Sequence, residues 1–145
     1  MTVEERIKEF KFRKNVETRW SDMDDAGHVN NAVYLTYFEQ ARVFYFHEAC
    51  QWNWKKDGVI LANAHLNYVK PLVFPEPAFI YLKTSRIGTK SFEVQYIITV
   101  EKDDLVEEIC NGSTVLVTFD YKSGSSVPVP DFIRKQISLF ESVNF

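Results

Sequence analysis

The sequence predicts an α+β domain in which a curved antiparallel sheet of five to six strands wraps around one long central helix. Three observations carry this prediction. Only one stretch, Asn31 to about Cys50, repeats apolar residues at three- and four-residue intervals over many turns. Four later runs have strand-like composition and are joined by short turn sequences. The resulting sheet needs something to cover its apolar face, and the aromatic helix is the only element large enough to do so.

The elements follow in order. Phe10 to Trp20 reads as a first strand, half-exposed because Lys11, Arg13, Lys14 and Glu17 interrupt it. A loop runs through Asp25, Ala26 and Gly27. The helix places Val33, Tyr34, Tyr37, Phe38, Ala41, Phe44 and Tyr45 on one face. Asn30 or Asn31 serves as its N-cap, because a short amide oxygen accepts from the unpaired donors of a first turn. So many aromatic residues predict a helix enclosed on much of its circumference. Glu39 and Arg42, three apart, are expected to pair with each other or with neighbours.

After the connector Trp52 to Gly58, strands are predicted at Val59–Lys70, Ala78–Ile87, Ser91–Lys102 and Leu105–Tyr121. In the third of these, Phe92, Val94, Tyr96, Ile98 and Val100 alternate with polar residues, so one face is buried and one wet. Ile97 breaks the polar series, as a strand at a contact between subunits would. Ile87 to Lys90 and Lys102 to Leu105 form hairpin turns. Gly112, inside the last strand, marks a bulge or a close backbone approach. A linker from Ser123 to Pro130 leads to a short helix, Asp131 to Phe140, within a C-terminal tail spanning 123–145.

At 145 residues the chain is read as a single domain, 1–145. Apolar residues at 46% and aromatics at 15% are enough to fill a core. The net charge of −3 disfavours nucleic acid as a partner. No apolar run reaches membrane-spanning length, and the charged first ten residues lack a signal-peptide core, so a cytoplasmic location is expected. Cys50 and Cys110 are too few for a disulfide framework and are read as buried thiols. His28, His47 and His65 lack ligand spacing, so no metal site is expected.

The chemistry concentrates in Arg19-Trp-Ser-Asp22-Met-Asp24-Asp25-Ala-Gly27-His28-Val-Asn30-Asn31-Ala-Val-Tyr34. Three carboxylates, one imidazole and two amides surround one glycine just ahead of a helix. A helix N-terminus offers unpaired N–H groups and a partial positive charge, which together can hold a polarised carbonyl oxygen. A carboxylate beside it completes the layout of an acyl-transfer site. Asp24 is the candidate catalytic carboxylate, with a loop cap as the alternative. Asp22 is expected to hold the loop and Asp25 to face solvent. His28 is a second catalytic candidate, or else a group that orients loop or substrate.

These residues resemble the hotdog-fold acyl-CoA thioesterases of the 4-hydroxybenzoyl-CoA thioesterase type. The match lies in Trp20-Ser-Asp22-Met-Asp24-Asp-Ala-Gly27-His-Val-Asn-Asn31-Ala-Val-Tyr34 and continues through Tyr37-Phe-Glu39-Gln-Ala-Arg42. Leu66-Asn-Tyr68-Val-Lys-Pro71-Leu72 and Arg86-Ile-Gly88-Thr-Lys90-Ser91-Phe92 support it. The sequence departs from the family where Phe74-Pro-Glu-Pro77 replaces a Gly-Asp turn.

The resemblance implies the hotdog fold, with Asp24 catalytic and the Asn31 backbone N–H as oxyanion donor. Gly27, Asn30, Tyr34 and Tyr68 are its expected substrate-binding residues. Arg86, Lys90 and Ser91 are expected to meet the phosphates or pantetheine arm of coenzyme A at a subunit boundary. The implied substrate is an acyl-CoA, with a fatty acyl group favoured by the His-Val-Asn-Asn variant. An acyl-carrier-protein thioester, or a hotdog module that holds acyl-CoA without turnover, is the alternative. No cofactor is expected, because a thioester is already an activated acyl donor. A homo-oligomer, a dimer or a tetramer of two dimers, is the expected assembly.

Overall fold

The computed structural model describes residues 1–145. Helix α1 (Val3–Ile7) is followed by strand β1 (Phe12–Val16), a 3-10 turn at Trp20–Asp22 and the long helix α2 (Val33–Cys50). Strands β2 (Gly58–Tyr68), β3 (Ala78–Ile87), β4 (Ser91–Lys102) and β5 (Leu105–Asp120) come next. The two-residue strand β6 (Ser125–Ser126) and helix α3 (Asp131–Glu141) end the chain. All strand pairings are antiparallel, in the order β1-β3-β4-β5-β2, with β6 on β5. This is the predicted sheet wrapped on a helix.

The hairpins form where the sequence predicts them. Asp103 and Asp104 both adopt positive φ, 52° and 62°, which matches the twist that a two-residue β-hairpin requires. Gly112 marks the close approach and not the bulge: a Cβ there would lie 2.3 Å from the His65 carbonyl oxygen and 3.1 Å from the Phe38 ring. The bulge falls two to three residues earlier, where Ile98 pairs with Cys110 but Thr99 pairs with Glu108.

Helix α2 buries Tyr34, Tyr37–Phe38, Ala41–Arg42, Tyr45–Phe46 and Ala49–Cys50, a stripe about half its circumference wide. The stripe lies on the central strand: Phe38 stacks on Tyr96 with ring centroids 4.1 Å apart, and Phe46 meets Phe92 edge-on at 5.4 Å. Cys50 and Cys110 are buried free thiols, and burial pushes both up to about 12.

Several expectations change. The first strand is shorter than Phe10–Trp20, because the chain leaves the sheet after Val16 to enter the 3-10 turn. Within one chain α2 is not enclosed. Leu35, Val43 and Phe44 stay exposed, and Phe44 lies under the Lys14 ammonium instead of in the core. Glu39 and Arg42 do not pair, since Arg42 turns inward to donate to the Tyr96 hydroxyl. Ile97 needs no second subunit to cover it. It is 3% exposed beneath the chain's own N-terminal segment, which Arg6–Glu108 and Lys83–Glu9 ion pairs tie to the outer face of the sheet. Helix α1, capped by a reciprocal Thr2–Glu5 pair, is an element that the sequence reading did not foresee.

Helix α3 packs on α2 and β3 through Ile133, Ile137 and Phe140. Its last residue, Glu141, carries a buried Oε1 with no hydrogen-bond partner. Burial raises this carboxyl to about 7, against the opposing pull of Lys11, the Thr84 N–H and Lys83. With the folded value above the unfolded one, stability is greatest at low pH. It falls as pH rises from the ordinary value of 4.5 towards 7, where the carboxylate ionises in place. Glu141→Gln should therefore raise the unfolding free energy at pH 8 by ~1–2 kcal/mol, a value reduced for solvent screening at the helix end, and change it little at pH 4. Thermal denaturation of both proteins across that range checks this.

Candidate active site

Asp22 anchors the site loop. Its carboxylate is 3% exposed and accepts from the Arg19 backbone N–H at 3.0 Å, the Arg19 guanidinium at 3.0 and 3.2 Å, and the Tyr37 hydroxyl at 2.7 Å. Burial opposes its ionisation, but the Tyr37 and Arg19 hydrogen bonds and the guanidinium charge outweigh burial and hold the carboxyl below its ordinary range. Because Tyr37 belongs to α2, this bond ties the loop to the helix. Asp22 is thus the structural carboxylate predicted, and Asp25 is exposed as expected.

Between Asp22 and the helix the chain folds back on itself. The Asp24 N–H donates to the His28 carbonyl at 2.7 Å and the Gly27 N–H to the Asp24 carbonyl at 3.0 Å. Gly27 turns the corner at φ +79°, a conformation that L side chains rarely adopt. Asp24 Oδ1 accepts from the Ala26 and His28 N–H groups at 2.9 and 3.1 Å, the local bonding typical of an aspartate in a turn. Asp24 Oδ2 accepts from no group of the chain. The link between His28 and Asp24 runs through backbone atoms; the exposed imidazole makes no hydrogen bond to the carboxylate.

The Val29 N–H then donates to the Leu72 carbonyl at 2.8 Å and the Asn30 N–H to the Asp22 carbonyl at 2.9 Å, seating the helix entrance on the β2–β3 connection. The N-cap is Ala32, which makes no side-chain cap bond, and not Asn30 or Asn31. Asn30 instead closes the turn just ahead of the helix, its Oδ1 accepting from the Ala32 N–H at 2.9 Å and its carbonyl from the Val33 N–H. Regular helix begins at Val33, two residues later than expected. No acceptor in the chain takes the Asn31 N–H, which is left as a free donor in the turn that leads into the helix. The Tyr68 hydroxyl donates to the Asn31 carbonyl at 2.9 Å, and the Tyr34 ring meets Tyr68 edge-on at 5.2 Å. Burial pushes the Tyr34 phenol up to about 12, so it stays protonated.

Asp24, His28, Val29, Asn31, Tyr34 and Tyr68 line one cavity of about 190 Å³. Five of the predicted site residues therefore meet, while Gly27 and Asn30 shape the turns that lead to the helix. Lys70, paired with Glu107, also lines the cavity, and its one sequence signal is its place between Tyr68 and Pro71. Arg86, Lys90 and Ser91 are not brought to the site by this chain. Tyr68 stands level with Cys110 and Ile98 in the sheet, and Ser91 lies seven positions along β4 from Ile98, ~23 Å away. There the Arg134 guanidinium holds the turn through the Ile87 and Gly88 carbonyls. A larger cleft of about 620 Å³ on the other flank of α2, bordered by Lys14, Glu17, Tyr37 and Phe44, contains none of the predicted catalytic residues. No group of three or more His, Cys, Asp or Glu side chains converges as metal ligands would.

One small space is thus lined by a residue with an unengaged carboxylate oxygen, Asp24, and a residue with an unengaged N–H, Asn31. Residues 18–137 match the model of the thioesterase-like superfamily. The chain is 31% identical over 124 residues to the uncharacterized protein YsmA of Bacillus subtilis (strain 168), covering 84% of this chain and 82% of that one. It is 23% identical to the long-chain acyl-CoA thioesterase FadM of Escherichia coli (strain K12), covering 84% and 93%. Among solved structures, a thioesterase of Thermus thermophilus complexed with coenzyme A and Zn superposes with TM-score 0.82 at 30% identity, covering 93% and 97%. With the site geometry and the curled sheet in agreement, this chain belongs to the thioesterase-like superfamily and has its hotdog fold.

Proposed function

We propose that this protein hydrolyses an acyl-CoA thioester, with a fatty acyl group as the preferred acid, to free acid and coenzyme A. One observation carries the reading: Asp24, whose Oδ2 has no partner in the chain, and Asn31, whose N–H has none, line the same cavity at the start of α2. The Asn31 N–H and the helix dipole stabilise the negative charge that develops on the thioester oxygen. Asp24 acts on the acyl carbon, either directly or by taking a proton from the attacking water. The C–S bond breaks and the thiol leaves. FadM and the Thermus structure, named for acyl-CoA and coenzyme A chemistry, support the substrate class.

A cavity of about 190 Å³ is smaller than the ~300–1,000 Å³ of most ligand pockets, so further walls must come from outside this chain. Strand β2 is an eleven-residue edge with exposed Ile60, Leu61 and Tyr68, beside that cavity. Such edges invite strand addition. A homodimer built along β2 is therefore part of the reading, with Arg86, Lys90 and Ser91 of a second copy available for the coenzyme A arm. Lys90→Glu should then raise KM for acyl-CoA about 10-fold and leave KM for a short acyl-pantetheine unchanged, because only the former carries phosphates. Equal effects on the two substrates would remove this role.

A second reading has one observation in its favour: Asp24 Oδ1 is engaged as a loop cap. On that reading the chain holds acyl-CoA without turnover. Thiol release measured from acetyl-CoA through palmitoyl-CoA separates the two. Release that increases with chain length supports the fatty-acyl thioesterase, whereas tight binding with no release from any thioester supports the holding module.

A further inference from the structure

Arg42 is a charged side chain largely buried between α2 and the sheet, 8% exposed. The other buried charge, Asp22, has its guanidinium partner, but no carboxylate lies within ion-pairing distance of Arg42. One hydrogen bond holds it, from Nη1 to the Tyr96 hydroxyl at 3.2 Å, and Tyr96 in turn bonds the Thr114 hydroxyl at 2.6 Å. Burying a cation without a counter-charge is costly, and an arginine does not escape the cost by shedding its proton. The remaining guanidinium donors are not walled in, since Glu141 Oε1 is the one buried side-chain polar atom left without a partner. Arg42 therefore keeps a narrow opening to the surface.

The opening belongs to the β2 side of the molecule. Thr114 stands opposite Ala64 of β2, which is exposed, as is its neighbour on the same face, Leu61. On the helix, Leu35 and Glu39 lie within ~60° of Arg42 around the axis, and both are exposed. Glu39 has no ion pair. One flank thus carries a buried cation without an anion, an exposed anion without a cation, and an unpaired strand edge.

We propose that, within the homodimer along β2, Glu39 of each copy neutralises the partner subunit's Arg42 across a two-fold axis passing between them. In a two-fold interface, residue i meets residue j and j meets i, so two opposite, unpaired groups on one flank form both pairs at once. The planar guanidinium offers a carboxylate two parallel N–H donors. The pair rests on the homodimer reading along β2 and supplies the contact that would select it over other edge pairings.

Sedimentation velocity on the full chain tests the pairing. The wild type is expected to dimerise at micromolar concentration, and Glu39→Arg to raise the dissociation constant about 100-fold, the cost of facing a buried charge with its like. Glu39→Arg combined with Arg42→Glu should recover most of that loss by restoring opposite charges across the axis. Should the Arg42→Glu chain fail to fold by circular dichroism, Glu39→Gln and Glu39→Arg decide, with dissociation constants rising in that order. A wild-type dimer left unchanged by both Glu39 variants overturns the pairing and leaves the dimer standing. A wild type that stays monomeric overturns both.

Discussion

Asp24→Asn should abolish most turnover, lowering kcat by about 10³-fold or ~4 kcal/mol of transition-state stabilisation, with KM little changed. Asparagine suits the test because its side-chain carbonyl can still accept from the Ala26 and His28 N–H groups that Asp24 Oδ1 holds at 2.9 and 3.1 Å. The loop is then preserved while the unengaged, charged Oδ2 is replaced by a neutral amide nitrogen. Alanine would remove the loop bonds as well and confuse chemistry with folding. Single-turnover thiol release, with circular dichroism as the check on fold, measures the effect. An Asp24→Asn enzyme as fast as wild type would move the chemistry to another residue, and His28 would be the next to change.

Phe38→Ala should cost ~3–5 kcal/mol of unfolding free energy, a large part of the ~5–15 kcal/mol available to a domain of this kind. Phe38 is fully buried, stacks on Tyr96 with planes 2° apart, and lies against Gly112. Little can move into the space that it would leave. The β5 backbone at Gly112 is held against the His65 carbonyl, and Tyr96 is tied to Arg42 and Thr114. Urea unfolding followed by fluorescence gives the value. A loss below ~1 kcal/mol would mean that the helix and sheet collapse into the gap. Because Phe38 lies one turn beyond Tyr34 on the same stripe, its loss should also loosen the helix start that presents the Asn31 N–H.

Much of this was legible from the chain alone. Strands β3 and β4 have the predicted boundaries, and β2, β5 and α3 differ by one or two residues, because alternation and hairpin turns are local signals. The site loop was legible for a similar reason. A DxD pair, one glycine and an asparagine turn act within about ten residues, so much of the loop is local, although Leu72 and Tyr68 seat its end on the sheet.

Contacts between distant segments were not legible. Periodicity assigned Phe44 to the core face, but a stripe read from spacing has a direction and no definite width, and Phe44 falls on its exposed border. Glu39 and Arg42 have the spacing of a helical ion pair, yet Tyr96 and Thr114, more than fifty residues away, draw Arg42 inward. Ile97 broke the polar alternation because the N-terminal segment covers it, and a five-residue helix leaves too weak a periodic signal to announce that cover. Arg86, Lys90 and Ser91 lie at the far end of the sheet, seven positions along β4 from the level of Tyr68, a separation set by the register of the strands and not by any local pattern.

The amino-acid sequence by itself determined the strands, the central helix and the tight Asp24–Gly27 turn ahead of it, all products of interactions a few residues long. The tertiary structure decided which flank of that helix stays open, where the unpaired Arg42 turns, and which basic residues the cavity lacks. Those outcomes depend on long-range packing and on the balance between burying a charge and satisfying it, and no local pattern encodes either.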